Sequence, residues 1–172
     1  MKKLICVLLA VVCCLGFASC AKDNGVPDGY QLISDDKVAY CFYAPTQWTK
    51  NNVGGAYSVY YSTADPSVVM VTFYTPSSDE ATLDDFWATV EAQYKHQYTN
   101  YELVSDEMTM LGDRNARAFT FTAGISGSDY KILQIVTGYG DYYYTMTYMS
   151  TPEKFDSHLE AVKGMASVFK FK

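Results

Sequence analysis

A chain of 172 residues with 13 basic and 19 acidic side chains, formally -6, is long enough to bury one hydrophobic core and carries no basic run. Nucleic acid is therefore excluded as an expected partner, because phosphate binding depends on clustered Lys and Arg. Aromatic residues make up 16% of the chain, with Tyr at 16 positions, a composition that favours strands with one packed and one wet face.

The N-terminus reads as a secretory leader over residues 1–19. Lys2 and Lys3 give the positive start, residues 4–15 form an unbroken apolar run, and Gly16, Ala18 and Ser19 supply small residues near a cut. The run is shorter than the roughly 20 residues a spanning helix needs. Phe17-Ala18-Ser19-Cys20 resembles the bacterial lipobox, whose cysteine is acylated and becomes the mature N-terminus, although Phe17 stands where an aliphatic residue is usual. Ordinary cleavage after Ala21 is the alternative. The neighbouring segment favours lipidation at Cys20: residues 20–29 lack hydrophobic periodicity and read as a flexible tether, reaching about 30 Å at most. Removing Lys2 and Lys3 leaves 11 basic against 19 acidic residues, near -8, which suits a body held beside an anionic membrane without lying on it. The expected location is outside the cytoplasm, on the outer face of a bacterial membrane at the cell surface or in the periplasm.

Of the five cysteines, Cys6, Cys13, Cys14 and Cys20 lie in the leader or at its end, and only Cys41 falls in the folded region, residues 30–172. A disulfide within that region and a thiolate metal cluster are both excluded.

From Tyr30 the apolar period is mostly two. GYQLIS and VAYCFYAP read as strands around SDDK, TQWTKNNVGGA as a polar loop, and AYSVYYST with VVMVTFYT as a pair whose turn is marked by Pro66 and Ser67. In TLDDFWATVEAQYKHQY the period changes, and Leu83, Phe86, Trp87, Val90 and Tyr94 form one helical stripe behind the cap pair Thr82 and Asp85. Four strands come next, YELVSDEMTM, ARAFTFTAG, YKILQIVTG and YYYTMTYMS, with Gly or Asp between them as in hairpins. A last helix, from about residue 151 to 168, has the stripe Phe155, Leu159, Val162, Ala166 and Phe169, and Ser150 with Glu153 suggests a capping box. The expected class is α+β: one domain with an antiparallel sheet of about six strands flanked by helices.

This pattern resembles the PsbP-like superfamily, which includes bacterial secreted proteins and lipoproteins. The residues that carry the resemblance are an aromatic strand into Pro45-Thr46-Gln47-Trp48, Gly112 before Arg117-Ala118-Phe119-Thr120-Phe121, Gly140-Asp141-Tyr142-Tyr143-Tyr144, and a closing Ser167-Val168-Phe169. The resemblance implies an α/β/α sandwich and a non-catalytic binding or assembly role. No photosystem metal ligands carry over.

Catalytic candidates are few. Cys41, set among Tyr40, Phe42 and Tyr43, reads as a buried inert cysteine, His96 as a solvated surface residue, and His158 as bordering its helix stripe. Neither histidine has a partner at zinc-ligand spacing, and no metal or cofactor is expected. Asp35-Asp36, Asp79-Glu80 and Asp84-Asp85 are explained by turns and a helix start. Gly124-Ile125-Ser126-Gly127-Ser128 reads as a hairpin turn, since it lacks the spacing of a nucleophile elbow. Aromatic surface remains: alternation sends Tyr142, Tyr144 and Tyr148 to one sheet face and Tyr143 to the other, with Trp48 beside a Gly-rich loop. Trp48, Tyr142 and Tyr144 are the candidate contacts for a protein, peptide or glycan, with helix packing as the competing reading. The expected function is a non-enzymatic, lipid-anchored envelope protein; a secreted enzyme using Cys41 or a His, or a purely structural component, is the alternative.

A Cys20→Ala chain expressed in a bacterial host should leave the membrane fraction, because one acyl chain alone binds marginally and none would remain. Continued fractionation of Cys20→Ala with membranes would overturn acylation at that site.

Overall fold

The computed structural model describes residues 25–51, 56–77, 80 and 82–172; the leader, Cys20 and Gly54-Gly55 lie outside the described residues. Strand β1 (Tyr30–Leu32) pairs antiparallel with β3 (Tyr43–Pro45), and β2 (Tyr40–Cys41) pairs with β11 (Lys170–Phe171) at the far end of the chain. The main sheet is seven-stranded and antiparallel. Its order is β4 (Thr49–Asn51), β5 (Tyr57–Ser62), β6 (Asp65–Tyr74), β10 (Tyr142–Ser150), β9 (Ser128–Tyr139), β8 (Arg114–Ile125) and β7 (Thr99–Leu111). Helices α1 (Leu83–Gln97) and α2 (Pro152–Val168) cover opposite faces.

The additional strand is β4, formed from what reads as polar loop, because Thr49–Asn51 find backbone partners on β5. Pro66 and Ser67 lie inside β6 and do not mark the turn. Ser62 pairs with Asp65, so the reversal falls on Thr63 and Ala64. The meander is closed by two-residue turns. Ser126 and Gly127 both have positive φ, as the mirror-image hairpin turn requires, and Gly112 and Gly140 open the other two.

Each helix is fixed differently. Thr82 Oγ1 accepts from Asp85 N–H at 3.2 Å while Asp85 Oδ2 accepts from Thr82 N–H at 3.1 Å, so α1 starts in a closed capping box. Its stripe then buries Phe86 and Trp87, with Trp87 stacked on Phe119 at 3.7 Å and 3°. Such a pair adds about 1 kcal/mol beyond the area it buries. At α2 the Ser150–Glu153 box does not form. The N-cap is Thr151, without a side-chain bond, and Ser150 Oγ instead meets Ser67 Oγ at 2.7 Å beneath the helix. Burial outweighs capping there, since a hydroxyl with no partner in the core would cost more than an exposed cap gains.

Two cores result. One, under α2, gathers Phe42, Trp48, Val69, Met146, Tyr148 and Phe155. The other, under α1, gathers Phe86, Trp87, Phe119, Phe121, Val136 and Tyr143. The turn at Gly112 links the sheet to the end of α2: its N–H donates to Ala166 O at 2.8 Å, and a Cβ there would run into the Phe169 carbonyl. Gly112→Ala combines that clash with a φ of 62° and should cost about 3 kcal/mol in urea denaturation. An unchanged midpoint would show that the turn does not hold α2.

Candidate functional site

The strand alternation around β10 holds, since Tyr144 and Tyr148 enter the α2 core and Tyr143 the α1 core. Exposure does not follow the alternation. Tyr142 is 40% exposed and meets the ring of Phe73 edge-on at 5.4 Å. Tyr144, on the same face, is 5% exposed because Tyr40 and Phe171 close over it at 5.9 and 5.1 Å. Trp48 is 1% exposed and packs against Tyr61 and His158, so it belongs to the core and not to an aromatic surface. Of the three sequence candidates, Tyr142 alone faces solvent.

His158 is inside the stripe of α2, not at its border. Its Nε2 lies 2.9 Å from Asp65 Oδ2 on β6, and Tyr61 covers the ring at 4.1 Å. The other carboxylate oxygen, Oδ1, accepts from Ser67 N–H at 3.1 Å and Ser67 O–H at 2.7 Å, and Ser67 reaches Ser150. Burial pushes the Asp65 carboxyl up, but hydrogen bonds from His158 and Ser67 outweigh it and hold the group below the usual carboxylate range. An ionised carboxylate only accepts, so His158 Nε2 carries the proton. The order of contacts is Ser–Asp–His. In acyl-transfer triads the histidine sits between the other two, so that it can take the serine proton. Here the carboxylate stands between them, and the network ties α2 to the sheet.

A cleft of about 250 Å³ opens between α1 and the sheet. Its floor is the cross-strand pair Thr72 and Thr145, two short side chains where the neighbouring level carries Tyr74 and Tyr143. Phe86, Thr89, Val90, Gln93 and Tyr94 line the helix side, one face of α1 over more than two turns. At one end Gln134 Nε2 donates to Tyr94 Oη at 3.0 Å and Thr147 Oγ1 at 3.3 Å. At the other, Glu80 is only 3% exposed. Its Oε2 accepts from Ser77 N–H at 2.8 Å and Ser77 O–H at 3.0 Å. The Ser77 amide, against the opposing push of desolvation and with help from Tyr74, the Ser77 hydroxyl and Thr89, holds the carboxyl below its usual range. Tyr143 Oη donates to Glu80 O at 2.9 Å and fixes the backbone that presents it.

Sequence reasoning assigned Glu80 to turn chemistry, and it does organise the turn through Ser77, but as a buried group facing a cavity. A polar Gln134 inside the apolar run ILQIV was the legible signal for this cleft. The Asp65–His158 pair, 93 positions apart, left none. Cys41 is disulfide-bonded in the uncleaved chain and only 4% exposed, and the other cysteines all precede the described residues. His96 is exposed. Among the described residues no group of three or more His, Cys, Asp or Glu could hold a metal ion, and no helix is long and apolar enough to cross a membrane.

No family model and no curated protein sequence matches the chain. Solved structures do. Cyanobacterial PsbP (CyanoP) from Synechocystis is 19% identical with a TM-score of 0.59, over 95% of this chain and 99% of that one. The Ran-binding protein Mog1p of Saccharomyces cerevisiae is 9% identical with a TM-score of 0.59, over 83% and 95%. LpqN of Mycobacterium tuberculosis, described as involved in cell envelope biogenesis, is 11% identical with a TM-score of 0.50, over 86% and 80%. The chain has a PsbP-like α+β fold.

Because the Asp65 carboxyl is depressed in the folded state, its contribution is fully present above about pH 4 and is lost as pH falls through the folded value. Asp65→Asn should therefore cost about 2 kcal/mol at pH 7, with the gap to wild type narrowing on acidification. Urea denaturation from pH 7 to pH 2 measures it, and parallel profiles would contradict the assignment.

Proposed function

We propose that the chain is a non-enzymatic binding protein of the bacterial envelope, held outside the cytoplasm by acylated Cys20, with its ligand entering the cleft beneath α1. The observation that carries this reading is the cleft itself: a buried carboxylate, aromatic walls and a floor of two threonines on a rigid sheet. Pockets of this kind, concave and apolar with a few convergent polar groups, are where small ligands sit. The leader, the tether over residues 20–29 and the likeness in fold to LpqN support the envelope location. The contact order Ser67–Asp65–His158 supports a role without acyl transfer.

Native mass spectrometry on the chain extracted from host membranes tests the whole reading. The expected species begins at an acylated Cys20 and carries a small non-covalent adduct. Gln93→Trp, an exposed position on the helix side of the cleft, should abolish the adduct while leaving thermal stability within a few degrees of wild type. Wild-type chain arriving without any adduct would count against the cleft, and an intact Met1 would count against export. A disulfide joining Cys20 to Cys41 in the same spectrum would count against acylation, because one sulfur cannot carry both.

A further inference from the structure

Glu80 is a buried carboxylate that forms no ion pair among the described residues. The two donors bonded to it, the Ser77 amide and the Ser77 hydroxyl, are both neutral. Among the described residues every ion pair lies elsewhere, and none of the cleft-lining residues is a Lys, Arg or His. Neutral donors keep such a group ionised without cancelling its charge, so a cation entering the cleft still meets a full negative charge. Two aromatic rings line the cleft with Glu80: those of Tyr74 and Phe86 lie 5.6 Å apart at 46°. Rings of that kind attract cations at about 0.5–2 kcal/mol each. Next comes the threonine level, and beyond it the Tyr94–Gln134 pair, which can donate and accept. The volume, about 250 Å³, is that of roughly eight waters, so the occupant is small.

Resting on the cleft reading above, we propose that the ligand is a small organic cation, an alkyl- or quaternary ammonium with a polar tail, its nitrogen against Tyr74 and Phe86 beside Glu80 and its tail toward Tyr94 and Gln134. The sheet register sets this polarity, since Tyr74, Thr72 and Gln134 stand at three successive levels beneath α1. An anion is disfavoured by Glu80. The ammonium can belong to a free solute or to a lipid headgroup near the anchor.

Calorimetry on the full chain in detergent micelles tests the proposal with choline chloride and its uncharged tert-butyl isostere, dimethylbutanol. Choline should bind at least tenfold tighter than the isostere, and Glu80→Gln should weaken choline at least tenfold while leaving the isostere unchanged. Should Glu80→Gln unfold, as judged by near-UV circular dichroism, Tyr74→Leu serves instead: it removes one exposed ring, keeps the carboxylate, and should weaken choline more than the isostere. Vesicles of phosphatidylcholine that compete with choline would identify a headgroup source, and vesicles that do not would identify a free solute. Equal binding of choline and isostere, both blocked by Gln93→Trp, would overturn the cation and leave the cleft standing. Binding of neither would overturn the cation too, and the co-purified adduct lost in Gln93→Trp would then decide the cleft on its own.

Discussion

Strand β10 belongs to both cores at once. Tyr144, Met146 and Tyr148 enter the layer under α2, and Tyr143 enters the layer under α1. Side-chain direction in a strand has period two, so a slip of one residue against β6 or β9 would exchange the two sets completely. The register is therefore pinned from both sides: Tyr148 Oη donates to Phe155 O at 2.9 Å on α2, and Tyr143 Oη to Glu80 O at 2.9 Å ahead of α1. Tyrosine suits this position because each ring fills core volume while its hydroxyl finds a backbone acceptor at the far side.

The same alternation creates the cleft. After Tyr143 the next residue facing α1 is Thr145, and its partner across the ladder is Thr72. Helix α1 rests on the larger residues of β8 to one side, through Trp87 on Phe119 and Tyr94 near Phe121 at 5.3 Å. It cannot drop to meet two threonines, and the gap stays open. A pair of valines there would add apolar surface worth about 1 kcal/mol per buried methylene but would remove the polar floor. The cleft is thus a local departure from close packing held by well-packed neighbours, the arrangement expected where binding sets the sequence.

Sequence reasoning reached the periodic features. The α1 stripe, its Thr82–Asp85 cap, the three hairpins of the meander and the opposite faces of Tyr143 and Tyr144 are all local patterns, and local patterns survive into the structure. It failed where a long-range contact competed with a local rule. Ser150 looks like a cap from its spacing to Glu153, yet Ser67, 83 positions away, claims its hydroxyl. Thr49–Asn51 look like loop by composition, yet β5 offers an open edge. Exposure was the least legible property, because alternation says which face a ring takes and nothing about what covers that face. Tyr144 is buried by Tyr40 and Phe171 from the two ends of the domain, and Trp48 by Tyr61 and His158.

That difference bears on how function is read here. The residues with catalytic reputations, His158, Asp65 and Ser67, are consumed by the fold in a buried chain of hydrogen bonds, and Cys41 is packed at 4% exposure. What is left facing an open cavity is a carboxylate that forms no ion pair among the described residues, in a cleft it shares with Tyr74 and Phe86. Neutral hydrogen bonds from the Ser77 amide and hydroxyl stabilise the ionised form of Glu80, and stabilising it locally makes it poorer as a proton acceptor at neutral pH. A group tuned in that direction is suited to holding a positive charge rather than to moving a proton.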